Sequence, residues 1–290
     1  MTRTGLDRQR NGRRWTRGYR WLCGLLPRPG FAPILLVAAL CLAIPSPTIA
    51  TDGPHYPDLR TLPPSDLKFD TAVIDGVSRP VLRFANTVWN AGRGPLHLVA
   101  KNDKARRKSQ VFQRTYSDYA ATGAYTERRV GEFVFHPGHN HFHFENFAQY
   151  HLWEAAAWDQ WVASNRSTEE KALRRGAKTT FCIMDTQQRD ATLVGSPTAA
   201  GYTLCGRTTQ GMSVGWGDTY GAHLADQWIV LDTPVLANGS YVLRSVADPL
   251  NVLQESANKD APANADREGA QANEAITRFS VQNGVISLSS

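Results

Sequence analysis

Short runs of β-branched and aromatic residues recur along most of this chain, and almost every run is closed by Gly, Asn, Asp or Pro. Such punctuation leaves room for short strands and little room for long helices. Thr71-Ala-Val-Ile74, Val81-Leu-Arg-Phe-Ala85 and Thr87-Val-Trp89 come first. Asn90-Ala-Gly-Arg-Gly-Pro95 breaks them, and Leu96-His-Leu-Val99 resumes. Val111 to Tyr119 and Gly131 to Phe135 alternate apolar and polar residues, as half-buried strands do. Thr179 to Met184, Gln227 to Leu231, Tyr241 to Val246 and Ala275 to Val281 continue the series. The pattern predicts a mainly β fold, a single β-sandwich domain with long loops. One helical insertion is expected over Ala155 to Arg175, where Ser167-Thr-Glu-Glu170 has the form of a capping box. The polar, Ala-rich stretch from Glu255 to Asn273 reads as a mobile loop.

The first fifty residues follow other rules. Eight arginines between Arg3 and Arg28 face one acid, Asp7, and an apolar run from Phe31 to Ile44 leads to Thr48-Ile49-Ala50. A basic start, an apolar stretch and a small residue at the end make a secretory signal peptide over residues 1–50. An uncut signal anchor is the alternative, but the apolar run is shorter than the roughly 20 residues a bilayer span needs. Cleavage near Ala50 would leave no stable membrane span and place the protein outside the cytoplasm, secreted or in a periplasm. Residues 51–69, rich in Pro and polar side chains, read as an extended arm, and 70–290 as the folded domain.

Removing the leader changes the electrostatics. Lys+Arg falls from 32 to 24 and Asp+Glu from 26 to 25, so the formal charge moves from +6 to about −1. No sustained basic face remains to collect phosphates, which argues against nucleic acid as a partner. The cluster from Lys101 to Lys108 reads as a solvated loop. Cys23 and Cys41 leave with the leader, and an even pair, Cys182 and Cys205, suggests one disulfide in an exported chain.

Five of the eight histidines fall in sixteen residues: His136-Pro-Gly-His139-Asn-His141-Phe-His143, then His151. On an extended backbone, alternation puts His139, His141 and His143 on one face, with Phe142 and Phe144 on the other. Three imidazoles at that spacing suit a divalent transition metal, and the spacing does not choose between copper and zinc. An ideal strand would hold the outer two Cα atoms about 13 Å apart, so a bend is required. Pro137-Gly138 is placed where the chain can make one.

At these residues the sequence resembles the lysyl oxidase catalytic domain, whose copper motif is a Trp-His-x-x-His-x-His-x-His run followed by an aromatic-rich strand. Here it stands as Phe135-His136-Pro-Gly-His139-Asn-His141-Phe-His143, continuing into Phe147-Ala-Gln-Tyr150. Val81-Leu-Arg-Phe84 with Val88-Trp-Asn-Ala-Gly92, Lys178-Thr-Thr-Phe-Cys-Ile-Met-Asp-Thr186, Thr209 to Ala222, Asp226-Gln-Trp-Ile229 and Gly239-Ser-Tyr-Val-Leu243 match in order. The resemblance covers about residues 70 to 285. It implies a lysyl-oxidase-like β-sandwich, Cu²⁺ on His139, His141 and His143, and a lysyl tyrosylquinone made from Lys178 and Tyr220. It implies oxidation of a primary amine or a lysine-containing peptide by O₂, releasing aldehyde, H₂O₂ and ammonia. A quinone carbonyl traps an amine and acts as electron sink when the α-proton leaves.

The chain departs from the family in three places. Gln149 stands where the family usually has a His that is sometimes assigned the proton-abstracting role, which leaves His151 or Asp218 as substitutes. Phe135 replaces the leading Trp, and Cys182 and Cys205 are the only candidates for a surviving family disulfide. A family calcium site has a counterpart only in Glu255-Ser-Ala-Asn258. Two other readings stay open: a zinc hydrolase with Glu145 as base, and a copper-binding module without turnover.

Overall fold

The computed structural model describes residues 54–105, 108–168, 170–176, 178–256 and 273–289, with only the backbone for 102–105. The leader at 1–50, most of the loop between Glu255 and Asn273, and Asn258 lie outside the described residues. The described residues all belong to one compact unit, Ala50–Ser290.

Eight strands precede the helix: β1 (Leu59–Thr61), β2 (Ser65–Ile74), β3 (Val77–Asn90), β4 (Leu96–Ala105), β5 (Lys108–Tyr116), β6 (Tyr125–His136), β7 (His141–Phe144) and β8 (Ala148–Glu154). After α1 (Ala155–Ala163) come β9 (Arg174–Arg175), β10 (Gln187–Gln188), β11 (Thr209–Met212), β12 (Trp216–Tyr220), β13 (Trp228–Val230), β14 (Gly239–Ala247), β15 (Glu274–Gln282) and β16 (Val285–Leu288). The mainly β architecture expected is the one observed, with its strands arranged as three sheets around one core. The long β3 carries the first sheet, pairing with β2 and β13 over its first half and with β1 and β12 over its second. The second runs β11-β4-β5-β6-β7 and the third β16-β15-β14-β8-β9. Residues 51–69, read as an arm, carry β1 and the start of β2.

Leu82 and Phe84 of β3, Leu98, Val111 and Phe133 of the second sheet, and Tyr150, Leu152 and Leu243 of the third share one buried cluster. Each such side chain contributes roughly 1.5–3 kcal/mol by leaving water. Trp158 of α1 packs with Trp153 and Val242 in a second cluster. Among the described residues no helix is long and apolar enough to cross a membrane.

Two expected elements differ. The helix is not Ala155 to Arg175 but Ala155–Ala163, and it stops before Asn165 and Arg166, which both adopt positive φ. Arg174–Arg175 instead forms a strand against β8, and Leu173 N–H and Gly176 N–H donate to the carbonyls of Leu152 and Tyr150. A ready strand edge satisfies those backbone groups, whereas five helix-friendly residues are too few to nucleate a helix alone. Thr179 to Met184, expected as a strand, makes only the isolated bridge Phe144↔Phe181.

Candidate active site

β6 and β7 form a hairpin closed by the pair His136↔His141, and Pro137 to Asn140 make its turn. His139 N–H and Asn140 N–H both donate to the His136 carbonyl, and Asn140 takes φ +56°. The required bend therefore falls where Pro137-Gly138 suggested, and it curls His139 back over the strand. Gly131 is needed beneath it: a Cβ there would lie 2.9 Å from the Phe144 ring that anchors β7.

The bend gathers the imidazoles. His143 Nε2 lies 2.8 Å from His141 Nε2 and 3.3 Å from His139 Nδ1, and the three ligand atoms fall within 4.8 Å of one another. Metal–nitrogen bonds of about 2.0–2.1 Å put ligating nitrogens about 3–4 Å apart, so the two contacts of His143 fit and the widest pair needs a small inward movement. Burial, then the positive charge of Lys178, holds all three rings below the usual imidazole range, His143 down to about 2. Neutral imidazoles converging without a proton-bearing partner between them fit a transition-metal ion, which needs their lone pairs. The His136 ring stacks on His143 at 5.0 Å and adds a fourth imidazole to the cluster.

The segment after α1 docks onto this hairpin. Phe144 N–H donates to the Phe181 carbonyl, Phe181 N–H to Phe144, and Phe147 N–H to Thr179. Lys178 is thereby buried, 5% exposed, with its Nζ 5.1 Å from the Phe181 ring centre and 5.4 Å from that of Tyr220. Tyr220 ends β12, where it pairs with Asn86 of β3, and its ring meets Phe181 edge-on at 4.7 Å. Its hydroxyl donates to the Cys182 carbonyl at 2.7 Å. Cys182 is joined to Cys205 in a disulfide.

A cleft of about 350 Å³ opens over these groups, lined by His139, His141, Met184, Asp218, Tyr220 and Leu224 among others. Burial lowers the proton affinity of the Lys178 amine against the opposing charges of Asp226 and Asp218. Burial, then Asp218, raises the Tyr220 phenol well above its ordinary value. Asp218, only 3% exposed, is itself raised well above the carboxylate range by burial. The arrangement sets a phenol and a buried carboxyl in the lining of one recess, beside a desolvated amine and a metal-competent cluster.

Of the residues singled out in the sequence, His139, His141, His143, Lys178, Asp218 and Tyr220 come together. His151 does not. Strand alternation turns Tyr150 and Leu152 of β8 into the core beside Phe181, and His151 and Gln149 to the opposite face. There His151 Nδ1 meets Glu170 at 2.7 Å, and both residues line a separate polar cleft with Trp161 and Arg244. Glu145, the base a zinc hydrolase would need, lies 3.9 Å from Lys108 and is not among the residues lining the cleft. Glu255 is buried, and its two oxygens accept Leu59 N–H and the Asn273 amide. Asn258, the other end of the turn read as a calcium counterpart, lies outside the described residues.

Sequence reasoning missed Thr180 and Asp226. Thr180 Oγ1 stands 3.0 Å from His143 Nδ1, and Asp226 Oδ2 stands 3.4 Å from His139 Nε2. Both lie inside segments quoted above, but contacts across 37 and 87 residues of chain leave no local pattern to find.

The chain matches the family model described as Lysyl oxidase over residues 98–272, more than half its length. Human protein-lysine 6-oxidase is 30% identical over 125 residues, which are 42% of this chain and 24% of the human protein. The match thus spans about a quarter of that relative. The hairpin histidines, Lys178, Asp218 and Tyr220 all fall within the interval that the family model covers, and the chain belongs to the lysyl oxidase family.

Proposed function

We propose that this chain is a copper-dependent amine oxidase acting outside the cytoplasm, converting a primary amine, O₂ and water into an aldehyde, ammonia and H₂O₂. The observation that carries the reading is the placement of Lys178 Nζ 5.4 Å from the Tyr220 ring, beside three convergent imidazoles. Copper held by His139, His141 and His143 would supply redox and Lewis-acid chemistry, and an oxidised, cross-linked Lys178–Tyr220 pair would supply the carbonyl that receives the amine.

The chain's own residues support the remaining tasks. Desolvation favours the free-base form of Lys178, the form in which its nitrogen is a nucleophile. The Cys182 carbonyl fixes the Tyr220 hydroxyl and with it the orientation of the ring toward Lys178. Met184, Leu224 and Ala225 give the cleft apolar walls that suit an alkyl chain entering amine first. Asp218 lines the same cleft, and the burial that raises its proton affinity also makes its carboxylate a stronger base. We assign it the proton taken from the substrate's α-carbon, a role that His151 is turned away from. The Cys182–Cys205 disulfide and the leader read at 1–50 support an oxidising, extracytoplasmic compartment. Human protein-lysine 6-oxidase makes peptidyl lysine the first substrate class to try.

The test is a peptide map of protein produced with copper under air. Lys178 joined to Tyr220, reactivity toward phenylhydrazine, and H₂O₂ release on adding an amine are expected. Bound copper with an unmodified Tyr220 would sink the enzyme reading and leave a metal-binding module.

A further inference from the structure

The three imidazoles of the metal centre do not present equivalent atoms inward. His141 and His143 face each other through Nε2, whereas His139 turns Nδ1 toward His143. A ring that ligates through one nitrogen needs a partner for the other, and that partner fixes tautomer and orientation. For His143 the outer atom is Nδ1, and Thr180 Oγ1 meets it at 3.0 Å. For His139 the outer atom is Nε2. It is buried without a hydrogen bond, and Asp226 Oδ2 waits 3.4 Å away. A shift of about half an ångström would turn that contact into a charge-assisted hydrogen bond.

Neither partner belongs to the hairpin. Thr180 lies two residues beyond Lys178, and Asp226 six beyond Tyr220. Both segments lie outside the regular strand ladders: the first joins the hairpin through one isolated bridge and the bond from Phe147 N–H to the Thr179 carbonyl, and the second is a turn between β12 and β13. Asp226 itself adopts φ +63°, a conformation that aims its short carboxylate back at the hairpin. The orienting contacts of the metal ligands thus run to the same two segments that carry the lysine and the tyrosine.

We propose that Thr180 and Asp226 are positioning residues that couple metal occupancy of the hairpin to the ordering of the Lys178 and Tyr220 segments. Metal on the histidines tightens both contacts and draws the two segments together. By reciprocity, freeing either segment weakens the metal site by the same factor. The proposal rests on the metal reading above but not on amine oxidation.

Zinc tests it, because zinc accepts imidazole ligands but has no redox chemistry. Zn²⁺ is titrated into the full chain, and amide hydrogen exchange is followed over residues 178–186 and 220–227. Affinity is read by competition with a chromophoric chelator. In the wild-type chain zinc should slow exchange in both segments. Thr180→Val and Asp226→Asn should each lose about 10–100-fold in zinc affinity and lose the protection of their own segment only. Thr180→Ser, which keeps the hydroxyl, should restore both. Variants that bind zinc as tightly as the wild type, or zinc that protects the hairpin but neither segment, would overturn the coupling. A wild-type chain that binds no zinc overturns it together with the metal reading. Failure of the Lys178–Tyr220 link to form under copper, with zinc coupling intact, overturns only the enzyme reading.

Discussion

Lys178 and Tyr220, 42 residues apart in the chain, meet beneath one cleft, the amine nitrogen 5.4 Å from the centre of the phenol ring. Neither residue reaches the other through its own strand partners. Lys178 is carried in by the docking of Phe181 on β7, and Tyr220 by the pairing of β12 with β3. Phe181 touches both, so one aromatic ring sets the spacing of the pair.

Lys178→Met should abolish the cross-linked species and reduce amine oxidation to background, while the fold persists. It should also stabilise the protein at neutral pH, because burial disfavours the Lys178 charge. The sign follows from a folded proton affinity below the unfolded value near 10.5: below the lowered folded value the penalty is constant, and above it stability recovers as pH rises toward 10.5. Urea melts of both proteins from pH 7 to 10.5 should therefore converge. A methionine variant less stable than the wild type at pH 7 contradicts the burial argument.

His151→Ala should leave zinc affinity and the Lys178–Tyr220 link unchanged, because His151 faces the other side of β8. Its loss strips Glu170 of a 2.7 Å partner in a half-buried network that Arg244 also joins. A cost of about 1–3 kcal/mol in stability is expected. Loss of amine turnover in a variant that still folds and carries the link would return His151 to the catalytic set.

Much of this was readable before the structure, for identifiable reasons. Half-buried strands write their alternation into the sequence, so the core strands were found. Three histidines at alternate positions carry their own chemistry, and the bend they needed lies at the Pro-Gly step. Lys178 and Tyr220 were recognised only by resemblance, since nothing local marks either one. What stayed hidden depends on distant partners. The stretch 171–175 carries helix-friendly residues yet joins β8, and Asp226 looks like an ordinary turn former until His139 is placed 3.4 Å from it. The alternation that pairs His151 with Gln149 likewise says nothing of which face of β8 meets Tyr220.

The disulfide supports the site from behind. Cys182 and Cys205 are separated by 23 positions, and closing a loop of that size contributes about 3 kcal/mol through the unfolded state. Replacing both by serine should lower the unfolding free energy by about that amount. It should also loosen the Cys182 carbonyl that holds the Tyr220 hydroxyl, so that the yield of cross-linked protein falls while zinc affinity at the hairpin stays nearly constant. Unfolding curves, peptide maps and chelator competition on the same variant separate these effects. An unchanged yield of the link would show that the carbonyl contact does not orient the ring.

Burial makes the stability that Glu255 contributes depend on pH. Burial pushes its carboxyl up to about 8, with Asp248 and Asp58 adding to the effect against the N–H groups of Leu59 and Asn273. The folded chain thus binds a proton there that the unfolded chain releases near 4.5. Stability from this group is complete below about 4.5 and is lost as pH rises to about 8, a difference on the order of a few kcal/mol. Glu255→Gln removes the titration and sets an amide donor against Leu59 N–H or the Asn273 amide, at a cost of about 1–3 kcal/mol. The variant should be less stable than the wild type at pH 5, and the gap should narrow steadily toward pH 8. A gap that stays constant or widens across that interval would mean that Glu255 is already ionised in the folded protein at pH 5.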